Sequence, residues 1–359
     1  MVSSGPRLGS MTRVTFVLLI VLGSAITGAT LTAAVLRFAR KQGWFDVPNH
    51  RSSHTTPTPR GGGASIVAIT LAAELIAWRM GYFGMPRFGA LFVGGALVAG
   101  VGALDDVRGL SIRWRLLAQF VAGTIAVAAL STVAAISFDG MSISLAGVGG
   151  VITVVGIVWM TNLYNFMDGI DGIAGLQGVV ASASATALFV LTGQAGLASV
   201  AAALLGALIG FLVFNWEPAR IFMGDVASGF LGFTFAVLAI SGDHGNGVSA
   251  VWILIPLSPF IADTSVALVS RIAHGARIGS AHREHLYQRL VQNGHSHRVV
   301  AASFGLWAAA MATLSIVGYD YPSQTWPIFA AAIASTAAAY RFASSRTRSS
   351  PSASDGTQR

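Results

Sequence analysis

This sequence predicts an all-α polytopic membrane protein, and three observations carry the prediction. Apolar runs of about 20 residues, the length a helix needs to cross a bilayer, recur along the chain. Only 10% of the residues are charged against 54% hydrophobic, where a soluble domain carries about 25% charged residues. The cations are also sorted, falling mainly in alternate connections between the apolar runs.

Eleven spans are expected, at about 14–36, 64–83, 88–104, 116–138, 145–161, 173–192, 195–214, 228–241, 248–270, 299–318 and 326–342. The first is too long for a signal-peptide core of about 7–15 residues and lacks a clear cleavage site, so it is kept as a helix. The connections 37–63, 105–115, 162–172, 215–227 and 271–298, together with the tail from 341, hold 18 of the 22 Lys and Arg residues. The positive-inside rule puts these loops in the cytoplasm, the N-terminus in the periplasm and the C-terminus inside. The net charge of +8 is therefore a topology signal and does not call for nucleic acid. With no Cys there is neither a disulfide framework nor a thiolate metal site. Residues 1–343 read as one integral membrane domain and 344–359 as a disordered tail. The Gly-rich run 89–104 suits close helix packing.

Acidic residues are few, 14 in all, yet Asp105, Asp106, Asp168, Asp171 and Asp225 all fall on the basic side, in Gly-dense stretches. Ionisable groups at membrane depth are costly and usually functional. In LDDVRGL (104–110), two adjacent carboxylates persist cheaply only if a cation, a proton or an Arg sits between them. A solvated helix end neutralised by Arg108 and Arg113 is the plain alternative. In NLYNFMDGIDG (162–172), Asn162, Asn165, Asp168 and Asp171 recur every third residue. Steps of three on a helix lag by about 60°, so the first three share a face of about 120°. Amide and carboxylate oxygens form a hard donor set, suited to Mg²⁺ or Mn²⁺ rather than Zn²⁺. Helix capping would explain one or two of these residues, not four.

In FNWEPARIFMGDVASG (214–229), Asp225 takes an N-cap position on the same side. In HREHLYQRL (282–290), His282 and His285 lie one turn apart, flanked by Arg283 and Arg289. No third zinc ligand is near, so phosphate contacts are the better reading. His274, His295 and His297 read as exposed loop residues. The loop DVPNHRSSHTTPTPRGGG (46–63), with Arg51, His54 and Arg60, can wrap an anion.

LDDVRGL, NLYNFMDGIDGIAG, FMGDVASGFLG and REHLYQRL, in this order and on one membrane face, resemble the polyprenyl-phosphate N-acetylhexosamine-1-phosphate transferases. That family includes the phospho-MurNAc-pentapeptide translocase and the enzymes that begin O-antigen and enterobacterial common antigen synthesis. The resemblance runs from about residue 46 to residue 290, and eleven spans look more like the O-antigen branch. It implies a multi-pass enzyme of the bacterial inner membrane with a cytoplasmic active site. Such an enzyme uses Mg²⁺, or Mn²⁺, to move a sugar phosphate from a UDP-N-acetylhexosamine to undecaprenyl phosphate, releasing UMP. Membrane lipid is then a partner, nucleic acid is not, and a homodimer follows by analogy alone. The resemblance further implies Asp225 and Asn165 at the metal, and Asp105, Asp106, Asp168 and His285 as catalytic residues. Asp171, Asn215 and Phe222 would hold the uridine, while His282, Arg283 and Arg60 would contact the sugar and diphosphate. Tyr287 and Gln288 stand where relatives often carry His, which leaves His285 alone in that role.

Two other classes use similar ingredients. An intramembrane Mg²⁺-dependent prenyltransferase also needs acids at helix ends, but its motifs usually space Asp by four; here the steps are three and one. A secondary transporter places charge near the bilayer midplane, often in two repeated halves. Only Glu74 and Asp263 fall within spans here, Asp263 near enough to the basic side to support the site, and no internal repeat is visible.

Overall fold

The computed structural model describes residues 10–48, 56–130, 135–138, 141–144, 147–243, 248–273 and 285–321, with a few positions between 327 and 338. The predicted tail 344–359 lies outside the described residues, as do Arg51, His54, His274, His282 and Arg283. In chain order the helices are α1 (Ser10–Gln42), α2 (Ala64–Arg79), α3 (Met85–Phe88), α4 (Gly94–Arg108), α5 (Ile112–Leu130), α6 (Gly149–Phe166) and α7 (Ile173–Leu191). They continue with α8 (Ala195–Asn215), α9 (Asp225–Gly242), α10 (Ala250–Leu254), α11 (Ser258–Ala273), α12 (Leu286–Gln292) and α13 (His297–Tyr319). A π turn, Gly89–Val93, joins α3 to α4.

Among the described residues nine helices are long and apolar enough to cross a membrane. The fold is thus the all-α polytopic one expected. The predicted span 64–83 shortens to the 16 residues of α2, and most of 326–342 is outside the described residues. The span expected at 116–138 ends at Leu130. Beyond it β3 (Ala135–Phe138) pairs antiparallel with β4 (Met141–Ser144). The alternation in AISF and MSIS around Asp139–Gly140 is a hairpin signal that the apolar run obscured. A second antiparallel pair joins β1 (Phe45–Asp46) to β2 (Thr58–Pro59).

The expected span 145–161 sits instead at Gly149–Phe166. Asn162 and Asn165 therefore stay helical, while Asp168 leaves the helix and the shared face ends before it.

Burial orders the bundle around α9. Nearly all of its apolar stretch (94%) is buried, against 6% for α1, whose Leu18, Leu19 and Leu22 are exposed. Exposed leucines on a regular helix are the mark of a lipid-facing surface. α9 is packed by α4, α6, α2 and α10. The crossing of α4 and α9 is tight at Gly102, where a Cβ would come within 2.2 Å of the Asp225 carbonyl oxygen. That backbone contact lodges the C-terminal turn of α4, with Asp105 and Asp106, against the N-terminus of α9. The C-terminal ends of α4, α6 and α8 and the N-terminal ends of α5, α7 and α9 gather at this same end of the bundle.

Candidate active site

Asp105 and Asp106 are chain neighbours with different partners. Asp106 accepts the Asp225 amide at its Oδ1 and the Val226 amide at its Oδ2, both at 3.0 Å. It caps α9, whose first amides have no partner inside the helix. Gly224, at φ 80°, delivers the chain to that cap, and any Cβ there would lie 2.5 Å from Asp106 Oδ2. Arg60 donates to the Asp106 carbonyl oxygen, and its Nε lies 3.9 Å from Oδ1. The Arg60 loop is stitched to the segment before α9 by Gly62 and Gly63 amides on the Phe222 and Met223 carbonyls and by the Phe222 amide on Pro59.

Asp105 instead divides its oxygens between backbone and a side chain. Its Oδ1 accepts the Leu110 amide at 2.5 Å; its Oδ2 lies 2.9 Å from Arg115 Nη1, which is 3.4 Å from Asp225 Oδ2. Arg115 Nη2 donates to Asn165 Oδ1 at 3.1 Å. Asn165 Nδ2 donates to Asp225 Oδ1 at 2.7 Å and to Ser228 Oγ at 2.8 Å. Three oxygens from α4, α6 and α9 thus converge on one guanidinium from α5. Arg115 was not singled out from the sequence. Its signal was Gln119, one turn further along an apolar span and on the same face. Gln119 exchanges amide hydrogen bonds with Asn162, at 2.6 and 3.3 Å. Asn162 therefore joins α5 to α6 and stands apart from the carboxylates.

Asp168 lies between this pocket and two further polar groups. Burial, with the charges of Asp225, Asp106 and Asp171, pushes its carboxyl up to about 8. On one side stands the segment 285–287. Asp263 of α11 is buried (2% exposed). It accepts the Leu286 and Tyr287 amides at 2.8 and 3.4 Å and lies 3.5 Å from His285 Nδ1. His285 stacks on Tyr287 with ring centroids 5.7 Å apart. The Tyr287 hydroxyl donates to the Phe166 carbonyl at 3.0 Å and packs against Gly169. Burial holds that phenol well above its ordinary range, so it acts as a neutral donor. Tyr287, at a position where relatives often carry His, ties the His285 segment to the turn that presents Asp168.

On the other side is Asp171. Its Oδ2 accepts the Ala219 amide at 3.0 Å. His297 Nδ1 accepts the Asp171 amide at 3.3 Å and stands 3.4 Å from its Oδ1. His297 is therefore largely buried against Asp171 and is not the exposed loop residue expected; His295 is exposed as expected. The adjacent Arg298 grips Glu217 through its amide at 2.6 Å and its guanidinium at 3.0 Å. Asn215 is buried, its Oδ1 accepting the Gly172 amide and its Nδ2 donating to the Ile221 carbonyl. Phe222 is half-buried beside it.

A lipid-embedded bundle that gathers acids, amides and guanidiniums at one end, in a pocket with no thiolate, defines a membrane enzyme working on anionic substrates. The sequence model of glycosyl transferase family 4 matches residues 88–243. The decaprenyl-phosphate N-acetylglucosaminephosphotransferase of Mycobacterium tuberculosis is 31% identical, over 82% of this chain and 80% of the relative. A probable undecaprenyl-phosphate N-acetylglucosaminyl 1-phosphate transferase of Bacillus subtilis is 30% identical, over 77% of each chain. The undecaprenyl-phosphate alpha-N-acetylglucosaminyl 1-phosphate transferase of Yersinia pestis is 29% identical, over 79% of each. The chain belongs to glycosyl transferase family 4.

Proposed function

We propose that this protein transfers N-acetylhexosamine 1-phosphate from a UDP-N-acetylhexosamine to undecaprenyl phosphate, releasing UMP. The product is the lipid-diphosphate-sugar that starts a cell-surface polysaccharide such as O-antigen. The reaction would run at the cytoplasmic face of the bacterial inner membrane. The relatives are phosphosugar transferases by name. The observation that carries the reading is the convergence of Asp105, Asp225 and Asn165 on one cation, Arg115.

That donor set fits a hard cation such as Mg²⁺ or Mn²⁺. Among the described residues no three His, Cys, Asp or Glu side chains form a metal cage. Mg²⁺ wants one or two carboxylates, with water and substrate phosphate completing its shell. Asp225 and Asp105, with Asn165, would hold it. When bound it would supply charge neutralisation on the diphosphate. The rest falls to the chain. Arg115 and Arg60 pair with phosphate oxygens through planar donors, keeping two anionic substrates in one pocket. Asp106, fixed by two amides, sets the register of α9 and so the direction of Asp225.

The acceptor phosphate has a second pKa near 6 and needs little base at neutral pH. Its oxygen bonds to the β-phosphorus while the bond from β-phosphorus to the bridging oxygen breaks, and UMP leaves with that electron pair. Asp105 orients the attack. Both carboxylates are already engaged, Asp105 by Leu110 and Arg115 and Asp106 by the α9 amides. This favours direct attack over an aspartyl-phosphate. The test is purified protein with undecaprenyl phosphate, Mg²⁺ and a panel of UDP-N-acetylhexosamines. UMP with one of them is expected, and none with any would end the reading. A phosphosugar trapped on Asp105 or Asp106 without lipid would replace the one-step route.

A further inference from the structure

Three rungs join α5 to α6. The deepest is apolar: Gly123 of α5 lies so close to Val154 and Ile157 of α6 that a Cβ there would meet the Val154 side chain at 3.3 Å. The middle rung is Gln119 with Asn162, and the top rung is Arg115 with Asn165. Residues 115, 119 and 123 stand one turn apart on α5. Their partners follow in reverse order on α6, as an antiparallel pair requires.

The middle rung is polar at a depth where leucine would pack as well. Gln119 is buried, 8% exposed. Asn162 Nδ2 donates to Gln119 Oε1 at 2.6 Å and to the Val158 carbonyl at 2.8 Å, while Gln119 Nε2 donates to Asn162 Oδ1 at 3.3 Å. The Val158 oxygen can take only a donor, so it fixes which way the Asn162 amide faces, and Asn162 fixes Gln119. The pair therefore has one satisfied arrangement. A slip of one residue, about 1.5 Å along the axis, would leave both amides facing apolar side chains. A leucine rung carries no such penalty, which is how a buried amide specifies register between helices. The top rung cannot do this work during turnover. Arg115 faces Asp105 on α4 and Asp225 on α9 as well as Asn165, and these are the partners it exchanges when an ion or phosphate enters.

We propose that Gln119 and Asn162 are positioning residues for the transfer. Their amide pair locks the register of α5 on α6 and holds Arg115 opposite Asn165 and Asp225 while the guanidinium changes partners. The assignment rests on the function proposed above. Neither residue needs to touch a substrate. Both act through Arg115 and Asn165, one turn nearer the pocket, where a misplacement of about 1 Å is enough to cost rate.

The test separates rate from stability. Gln119→Leu or Asn162→Leu alone strands the remaining amide and should lower the melting temperature in detergent. Gln119→Leu combined with Asn162→Leu removes both partners and should melt near wild type. Gln119→Met with Asn162→Leu serves in its place should that protein not fold. The kcat of the double variant should nonetheless fall about tenfold or more, with KM for both substrates within about threefold of wild type. Thr124→Val is the control, since Thr124 bonds to the Phe120 carbonyl of its own helix; its rate should stay within about twofold. A rate that recovers together with melting in the double variant would reduce the pair to packing and overturn the proposal. The register is read separately, by the distance between spin labels. The chain has no Cys, so labels attach only at Leu117→Cys on α5 and Val151→Cys on α6, both exposed positions. A narrow distribution is expected with the amide pair intact, and a broader one, or one displaced by about 1.5 Å, in the double variant. Identical distributions overturn the lock. Because the labels need no turnover, they judge the register even if no donor sugar yields UMP, a result that would count against the proposed function alone.

Discussion

Two kinds of polar cluster meet at this end of the bundle, and they spend their atoms differently. In the pocket of Asp105, Asp225, Asn165 and Arg115, side chains face side chains except at Asp105 Oδ1, which holds the Leu110 amide, and an incoming ion or phosphate can exchange for the side-chain partners. Around Asn215 and Asp263, side chains face backbone, with both ends of the Asn215 amide and both Asp263 oxygens engaged by main-chain groups. A group bonded to another side chain can be lent to a substrate. A group bonded to backbone holds the chain in place, and removing it leaves a buried amide or carbonyl without a partner. The first kind should govern turnover and the second the shape within which turnover occurs.

The sharpest way to break that distinction is Asp225→Asn. The substitution keeps size and the Asn165 contact but removes the charge. Turnover should fall on the order of 10²–10³-fold with thermal stability near wild type, measured by UMP release and by melting in detergent. Loss of fold, or near-normal rate, would remove Asp225 from the first kind. Arg115→Met comes next. It keeps the packing of the stem and deletes the guanidinium that faces Asp105, Asp225 and Asn165. A loss of roughly 10²-fold in kcat/KM is expected, with partial recovery in Arg115→Lys, since a point charge replaces part of a planar donor. If Arg115→Met were faster than wild type, the arginine would be an occupant that merely blocks the pocket.

Asp263→Asn probes the second kind. One acceptor oxygen becomes an amide donor set against the backbone amide of Leu286 or Tyr287. A cost of about 1–3 kcal/mol in holding the 285–287 segment follows. It should appear as a lower melting temperature and as faster amide exchange at Leu286 and Tyr287, the amides that Asp263 accepts. Activity should fall less than in Asp225→Asn. A rate loss as deep as that of Asp225→Asn, with unchanged melting, would move Asp263 into the catalytic pocket.

Much of this was legible from spacing and sidedness. Hydropathy found the spans, and the clustering of Asp105, Asp106, Asp168, Asp171 and Asp225 on the basic side marked the end of the bundle that carries the site. What sequence could not supply was direction. Asn162 and Asn165 look equivalent as text, yet Asn165 meets Asp225 while Asn162 meets Gln119. The helix runs on to Phe166, and about 60° of rotation sends the two to different neighbours. Asp105 and Asp106 likewise looked like one motif, and only the contact at Gly102 decides that the second caps α9. Arg115 was hidden because a cation at a span boundary is read first as topology. His297 was hidden because the Asp171 partner lies 126 residues away.

Asp168 lies within the field of both kinds of cluster, and its effect is read in stability against pH rather than in turnover. Its carboxyl is raised to about 8, chiefly by burial and then by Asp225, Asp106 and Asp171; in the unfolded chain it returns to about 4. Below about pH 4 both states hold the proton and the residue costs nothing. Between about 4 and 8 the unfolded chain ionises while the folded protein keeps its proton, so stability is lost as pH rises, and the loss is complete above about 8. Asp168→Asn removes that slope. In metal-free buffer with a chelator, the variant should melt close to wild type at pH 4 and gain a few degrees on it by pH 9. Adding excess Mg²⁺ should narrow the gap, because a cation among these carboxylates favours their charged forms. Parallel melting curves across the whole range would mean that Asp168 is already ionised at low pH and sits with the backbone-bound acids. A gap that opens with pH and closes with the ion would place it in the pocket with Asp225.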